Sequence, residues 1–186
     1  VFMAFQTGTT SGPSELVTLL AAFATANGWT VGSSSDGFKV FQRAARGLYF
    51  SVAWDDSNIY VRGCTGYDSG SGWETQPGIS PITGVVNGAT GPFKTYYFFG
   101  TEQYIHVVIE VSTNIFKHFV MGQLNKNSDY LGGAYFDTSN HYYDPSYHTN
   151  HPESTYHRYL FDAQCGTYQH ASVRVDSDGE VWHRYG

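Results

Sequence analysis

Between positions 104 and 122 the chain alternates in a way that only strands explain. Ile105, Val107, Ile109 and Val111 interleave with Tyr104, His106 and Glu110, a period of two with one buried face. Val108 interrupts the polar set, so both sides are expected to be partly covered. After a Ser112-Thr113-Asn114 turn, Ile115, Lys117, Phe119 and Met121 interleave with Phe116, His118 and Val120. Neither face of this second strand is polar, which places it inside a sheet or against a neighbour. Gly132-Gly133 then marks a bend.

The same reading extends along the chain. Residues 1–12 are polar and rich in Gly and Thr after Phe5, an extended arm that is either frayed or docked on another subunit. A helix follows, with Ser14 as its cap, Glu15 in the first turn, and Leu16, Leu19, Leu20 and Phe23 on one face. Asn27-Gly28 supplies its left-handed stop. Trp29 and Val31 open a strand, residues 33–37 turn the chain into a second over 38–43, and a hairpin runs over 48–54 and 59–62 through Asp55-Asp56-Ser57. A last hairpin is expected over 171–175 and 180–184, turning at Asp178-Gly179. The expected fold is α+β and mainly β: antiparallel sheets with one N-terminal amphipathic helix packed on a face, in a single domain over 1–186.

Two stretches lack periodicity. Residues 63–91 are rich in glycine and contain Pro77 and Pro81, and loops of that length are functional or held by neighbours. Trp73, Ile79, Ile82, Val85 and Val86 are too apolar for a solvated linker, so this loop is expected to be ordered by packing or assembly. Its candidate interface residues are Trp73, Pro77, Ile79, Pro81, Ile82, Val85 and Val86. The second stretch, 137–152, gathers His141, His148 and His151 with Tyr142, Tyr143 and Tyr147, and His157 follows.

Composition narrows the classes. The chain has 186 residues, with 15 Tyr and 13 Phe and only 14% charged residues, a balance that suits either an interface or a β-rich core whose tyrosines keep their hydroxyls in water. Sixteen acidic residues stand against 10 basic ones with no Lys/Arg run, so nucleic acid is not an expected partner. No apolar run reaches the length of a membrane-spanning helix, and membrane insertion is not expected. Cys64 and Cys165 match no metal-ligand spacing and suit two buried thiols, with a disulfide between them as the alternative.

Chemistry has few candidates. His141, His148, His151 and His157 are possible metal ligands, but their spacing fits no helical or ribbon zinc signature. Tyr142, Tyr143 and Tyr147 are possible glycan contacts, since aromatic rings stack on sugar faces. No nucleophile elbow, phosphate loop or dinucleotide fingerprint occurs, and the Asp55-Asp56 and Asp176/Asp178 pairs sit in turns that favour Asp for its backbone hydrogen bonds. A catalyst is not expected, nor is a cofactor.

Three segments together resemble a family of virion structural proteins of tailed bacteriophages and prophages. They are ELVTLLAAFATANGWTV with its ANGW helix end, IYVRGCTGYDSGSGWETQPGISP with its TGYD, QPG and SP pieces, and YYFFGTEQYIHVVIEVSTNIFKHFVMGQL with its GGAY exit. The resemblance covers residues 15–135 and not the histidine-rich C-terminal third. It implies a non-enzymatic component of the particle, in the tail, tail tip or baseplate, whose partners are other copies of itself and neighbouring virion proteins. A tail-tip subunit that binds a host-surface glycan or protein is the alternative, and a metal-binding envelope hydrolase a further one. No catalytic or ligand residue is carried over. Gly66, Tyr67, Asp68, Pro77, Gly78 and Pro81 are then loop-shaping residues, and His118 a strand residue.

Overall fold

A computed structural model describes residues 3–32, 37–80, 83–124, 133–138, 140–143, 171–175 and 182–185, the backbone alone at 124 and in the last three segments. Among the described residues there are two antiparallel sheets and one α-helix. The first sheet has seven strands in the order β1 (Ala4–Thr10), β7 (Phe93–Gly100), β8 (Tyr104–Ser112), β9 (Ile115–Leu124), β10 (Gly133–Thr138), β12 (Ala171–Val175) and β13 (Trp182–Tyr185). The second has six, in the order β11 (Asn140–Tyr143), β6 (Thr83–Asn87), β5 (Asn58–Cys64), β4 (Leu48–Trp54), β3 (Phe38–Arg43) and β2 (Thr30–Gly32). The mainly β, α+β architecture expected from the alternation is the one observed.

The inner faces meet in one core. Phe98, Ile105, Val107, Ile109, Phe119 and Met121 from the first sheet pack with Phe50, Val52, Ile59, Val61 and Val86 from the second. Each of these side chains is fully buried, which contributes roughly 1.5–3 kcal/mol apiece before entropy is counted. The helix α1 (Pro13–Ala26) adds Leu16, Val17, Leu20, Phe23 and Ala24 to the same core. It touches β1 and β7 on one side and β2, β3 and β4 on the other, so it lies against both sheets at once.

Three local expectations are corrected. Residues 4–10 are not a frayed arm or one docked elsewhere but an edge strand of the chain's own sheet, with Phe5 opposite Phe99 and Thr7 opposite Tyr97. Gln6 fixes that register by donating from Nε2 to Tyr96 Oη at 2.9 Å. Ser14 does not cap α1. Pro13 occupies the first turn with its backbone dihedral already suited to a helix, so the cap moves back to Gly12, whose carbonyl accepts from Leu16 N. Glu15 turns back instead and accepts from Ser11 N and Oγ, both at 2.7 Å; the Ser11 backbone bond is the main cause of its lowered pKa.

The third correction concerns 63–91, which is not irregular throughout. Its apolar end forms β6, where Val86 is fully buried and Val85 nearly so. Gly84 in this strand has no room for a side chain, because a Cβ there would lie 2.7 Å from Thr138 Cγ2. Thr138 ends β10 in the first sheet and Asn140 opens β11 in the second, so the chain changes sheets beside this contact. Likewise 137–152 is not a loop from its start, since β10 and β11 occupy 137–138 and 140–143.

The remaining strand expectations hold in outline. β8 and β9 are joined by Thr113-Asn114, and Asn114 adopts φ 60 with its N–H donated to Glu110 Oε1 at 3.0 Å. Gly28 has φ 83 after the helix. β12 and β13 pair antiparallel at the far edge. Cys64 is buried, while Cys165 lies outside the described residues.

Candidate interaction surface

The two outer faces of the sandwich differ. On the six-stranded sheet, Phe38, Val40, Ala53 and Cys64 form a second apolar cluster, and Tyr60, Tyr67, Trp73 and Ile79 pack on it. Residues 65–80 thus fold back over their own sheet. Thr65 N donates to Pro77 O at 2.8 Å and Ser80 N to Gly63 O at 2.7 Å, which closes the loop at its base. Gly78 has φ 54, and a Cβ there would meet Thr65 Oγ1, so only glycine fits.

Gln76, which the sequence reading passed over, organises the loop interior. Its side chain is buried; Oε1 accepts from Asp68 N at 2.9 Å, and Nε2 points at the carbonyls of Asp68, Ser71 and Gly72 at 3.1, 2.9 and 3.2 Å. One amide thereby adds to the few backbone bonds of an irregular segment. Asp68 caps the turn by accepting from Gly70 N and Ser71 Oγ, and those bonds hold its carboxyl below the usual range. The Arg62 guanidinium lies 5.4 Å from the Trp73 ring centroid, and burial lowers its pKa.

The expected interface residues fall in different settings. Trp73 and Ile79 are half-buried against the subunit's own sheet, and Val85 and Val86 belong to β6. Pro77 is exposed, with its carbonyl used inside the loop; Pro81 and Ile82 lie outside the described residues. The loop is therefore ordered by packing within the chain.

The seven-stranded sheet presents a different outer face. Register puts Phe5 and Thr7 of β1, Thr95, Tyr97 and Phe99 of β7, Tyr104, His106, Val108 and Glu110 of β8, and Phe116, His118 and Val120 of β9 on one side. Two of the exposed large hydrophobics lie here, Phe5 at 55% and Phe116 at 50%; Met3 at 55% and Ile115 at 54% border them at the start of β1 and the β8–β9 turn. Phe5 and Phe99 rings pack at 5.2 Å between centroids, and Phe99 continues to His106 at 6.1 Å. His106 Nε2 and His118 Nδ1 are 3.3 Å apart in the middle of this face. Burial, and then the neighbouring His118, push the His106 pKa down to about 4, so its imidazole is neutral at pH 7.

A cleft of about 430 Å³ opens between the start of α1 and the β4–β5 turn, lined by Ser14, Glu15, Trp54, Asp55, Asp56 and Thr90. Two of its carboxylates, Glu15 and Asp55, serve the fold. Glu15 is tied to Ser11 and Thr10, and Asp55 accepts from Ser57 N and Asn58 N, both at 2.7 Å, and from Tyr60 Oη at 2.6 Å. Burial works to raise the Asp55 pKa, yet these bonds outweigh it and leave it below the ordinary value.

Of the histidine-rich candidates, His141, Tyr142 and Tyr143 have a described backbone only, in β11 at the edge of the six-stranded sheet opposite β6. Tyr147, His148, His151 and His157 lie outside the described residues. Among the described residues no His, Cys, Asp or Glu side chains form a group of three able to hold a metal, and no helix is long and apolar enough to cross a membrane. Compared with known proteins, the chain matches no family model and no curated protein. The resemblance to phage virion proteins rests on its motifs alone.

Proposed function

We propose that the chain is a non-enzymatic structural subunit of a tailed-phage particle, in the tail, tail tip or baseplate, that assembles with its own copies through the outer face of the seven-stranded sheet. The observation that carries this reading is the contrast between the two outer faces. A long loop covers one sheet, while the outer face of the other keeps Phe5 and Phe116 half exposed on either side of an aromatic centre, with Met3 at its edge. Large apolar side chains grouped at a surface are characteristic of association sites. The phage setting comes from the motif resemblance over residues 15–135.

The sheet face can also supply repetition. A single patch that meets itself gives a two-fold dimer, and one that meets a different patch gives a ring. Burying these three side chains contributes roughly 2–4.5 kcal/mol if each gives half of a full burial. That is ample when many copies act together. The test is to look for the chain in gradient-purified virions by peptide mass spectrometry and to trace it in a reconstruction of the particle. Finding it there, with Phe5 and Phe116 covered by a neighbouring copy, is the expected result. Its absence from virions would overturn the setting.

A further inference from the structure

We propose that His106 and His118 form a binding site for one divalent transition-metal ion of the imidazole-preferring class, nickel, copper or zinc, held between β8 and β9. The geometry is that of a chelate. An ion bound tetrahedrally by two imidazole nitrogens at about 2.05 Å sets those nitrogens about 3.3 Å apart, and His106 Nε2 and His118 Nδ1 stand at 3.3 Å. They come from adjacent antiparallel strands, diagonal to one another, since His106 faces Val120 and His118 faces Val108. Fixed strands keep the two rings together without an ion, so little ordering entropy is lost on binding.

Protonation favours the same conclusion. Two imidazolium groups this close would repel, and the neutral form of each ring is the one that ligates. Each neutral ring has one N–H and one lone pair. An ion would replace the hydrogen bond between the two rings, with the His106 proton on Nδ1, the His118 proton on Nε2 and no net proton released. Phe99 lies against His106 and limits its swing. Among the described residues no third His, Cys, Asp or Glu completes the set, so the strength expected is that of two imidazoles plus water. Copper should then bind more tightly than zinc or nickel. The assignment uses His106 and His118 alone and stands whether or not the sheet face mediates assembly.

The test is a titration of the full chain with nickel chloride at pH 7.5 in a non-chelating buffer, followed by calorimetry. About one ion per chain with micromolar affinity is expected, at least tenfold weaker in His106→Gln and in His118→Gln, and unchanged when His141, His148, His151 and His157 are all Gln. Urea midpoints check that each variant is folded. Proton NMR of the wild-type chain with substoichiometric nickel gives a readout free of variants: the His106 and His118 ring signals should broaden before those of the other histidines. Nickel binding equal to wild type in the double variant, no binding at millimolar nickel, or broadening confined to other histidines would each overturn the assignment.

Discussion

Trp29 Nε1 donates to the carbonyl of Thr101 at 3.0 Å, a buried bond between residues 72 apart in the sequence. It joins the strand leaving α1 to the turn between β7 and β8, and so ties one sheet to the other at the helix edge. Nearby, Arg43 and Arg46 both reach Glu102 at 2.8 Å, but these pairs are partly exposed and count for less. Trp29→Phe keeps most of the packing and leaves the Thr101 carbonyl unpaired. The expected loss is about 1–2 kcal/mol, read as a lower urea midpoint with an unchanged slope. Arg43→Ala should lose less.

Gln76→Ala should loosen residues 65–80 without dissolving the sandwich, because the amide's four contacts are all within the loop. The Asp68 N–H would lose its acceptor, and the carbonyls of Asp68, Ser71 and Gly72 would each lose the amide as a donor. Limited proteolysis should cut the variant within the loop at a rate at least tenfold above wild type, while hydrogen exchange of β8 and β9 stays slow. Gln76→Glu tests the same idea more finely, since a carboxylate can accept from Asp68 N but has no donor for the carbonyls.

Gly91→Ala should be among the most damaging surface substitutions. A Cβ at this position would lie 2.0 Å from the Ser11 carbonyl oxygen and 2.6 Å from Gly12 Cα, both backbone atoms that cannot rotate away. The approach holds the entry to β7 against the entry to α1. A loss of about 2–3 kcal/mol or more is expected from the forced backbone shift, whereas Gly37→Ala has no atom to strike but must adopt φ 101. Thermal unfolding of the two variants separates a clash from a purely conformational cost.

The pattern of the sequence revealed the strands and missed what irregular segments do. β8 and β9 were legible because Ile105, Val107 and Ile109 alternate cleanly and an Asn sits at the turn. β1 was hidden because Gln6, Thr7, Gly8 and Thr9 have no apolar alternation; its pairing comes from backbone bonds and from Tyr96 closing on Gly8. β6 was hidden because Thr83, Gly84, Val85 and Val86 form a short run beside prolines and glycines, and both faces are buried. Gln76 looked like any loop glutamine, since burial of a polar side chain has no local signature. His106 and His118 stand on opposite sides of a turn, and only register makes them neighbours.

Acid should destabilise the protein in two windows. A histidine whose folded pKa is depressed from 6.5 to about 4 favours the folded state when neutral. Its contribution is full above pH 6.5 and is lost as pH falls from 6.5 towards 4, where the unfolded chain binds the proton first. After discounting for partial exposure this amounts to on the order of 1–2 kcal/mol. Groups facing His106 from the strands around it are Tyr97, Tyr104, Glu110, Tyr135 and Asp137, besides His118. The lowered carboxyls of Asp55, Asp68 and Glu15 act below this, their stabilisation being lost as pH falls through the folded pKa values. His106→Gln should flatten the stability profile between pH 6.5 and 4 and leave the lower window in place.

The most direct measure of the assembly account is sedimentation velocity of the purified chain across a concentration series, beside a Phe5→Ser/Phe116→Ser variant shown by circular dichroism to keep its β signature. These two side chains lie on the same sheet face and are each about half exposed. The expected result is reversible self-association of the wild-type chain at tens of micromolar, weakened at least tenfold in the variant. Equal association of the two proteins, or a wild-type chain that stays monomeric to millimolar concentration, would contradict it.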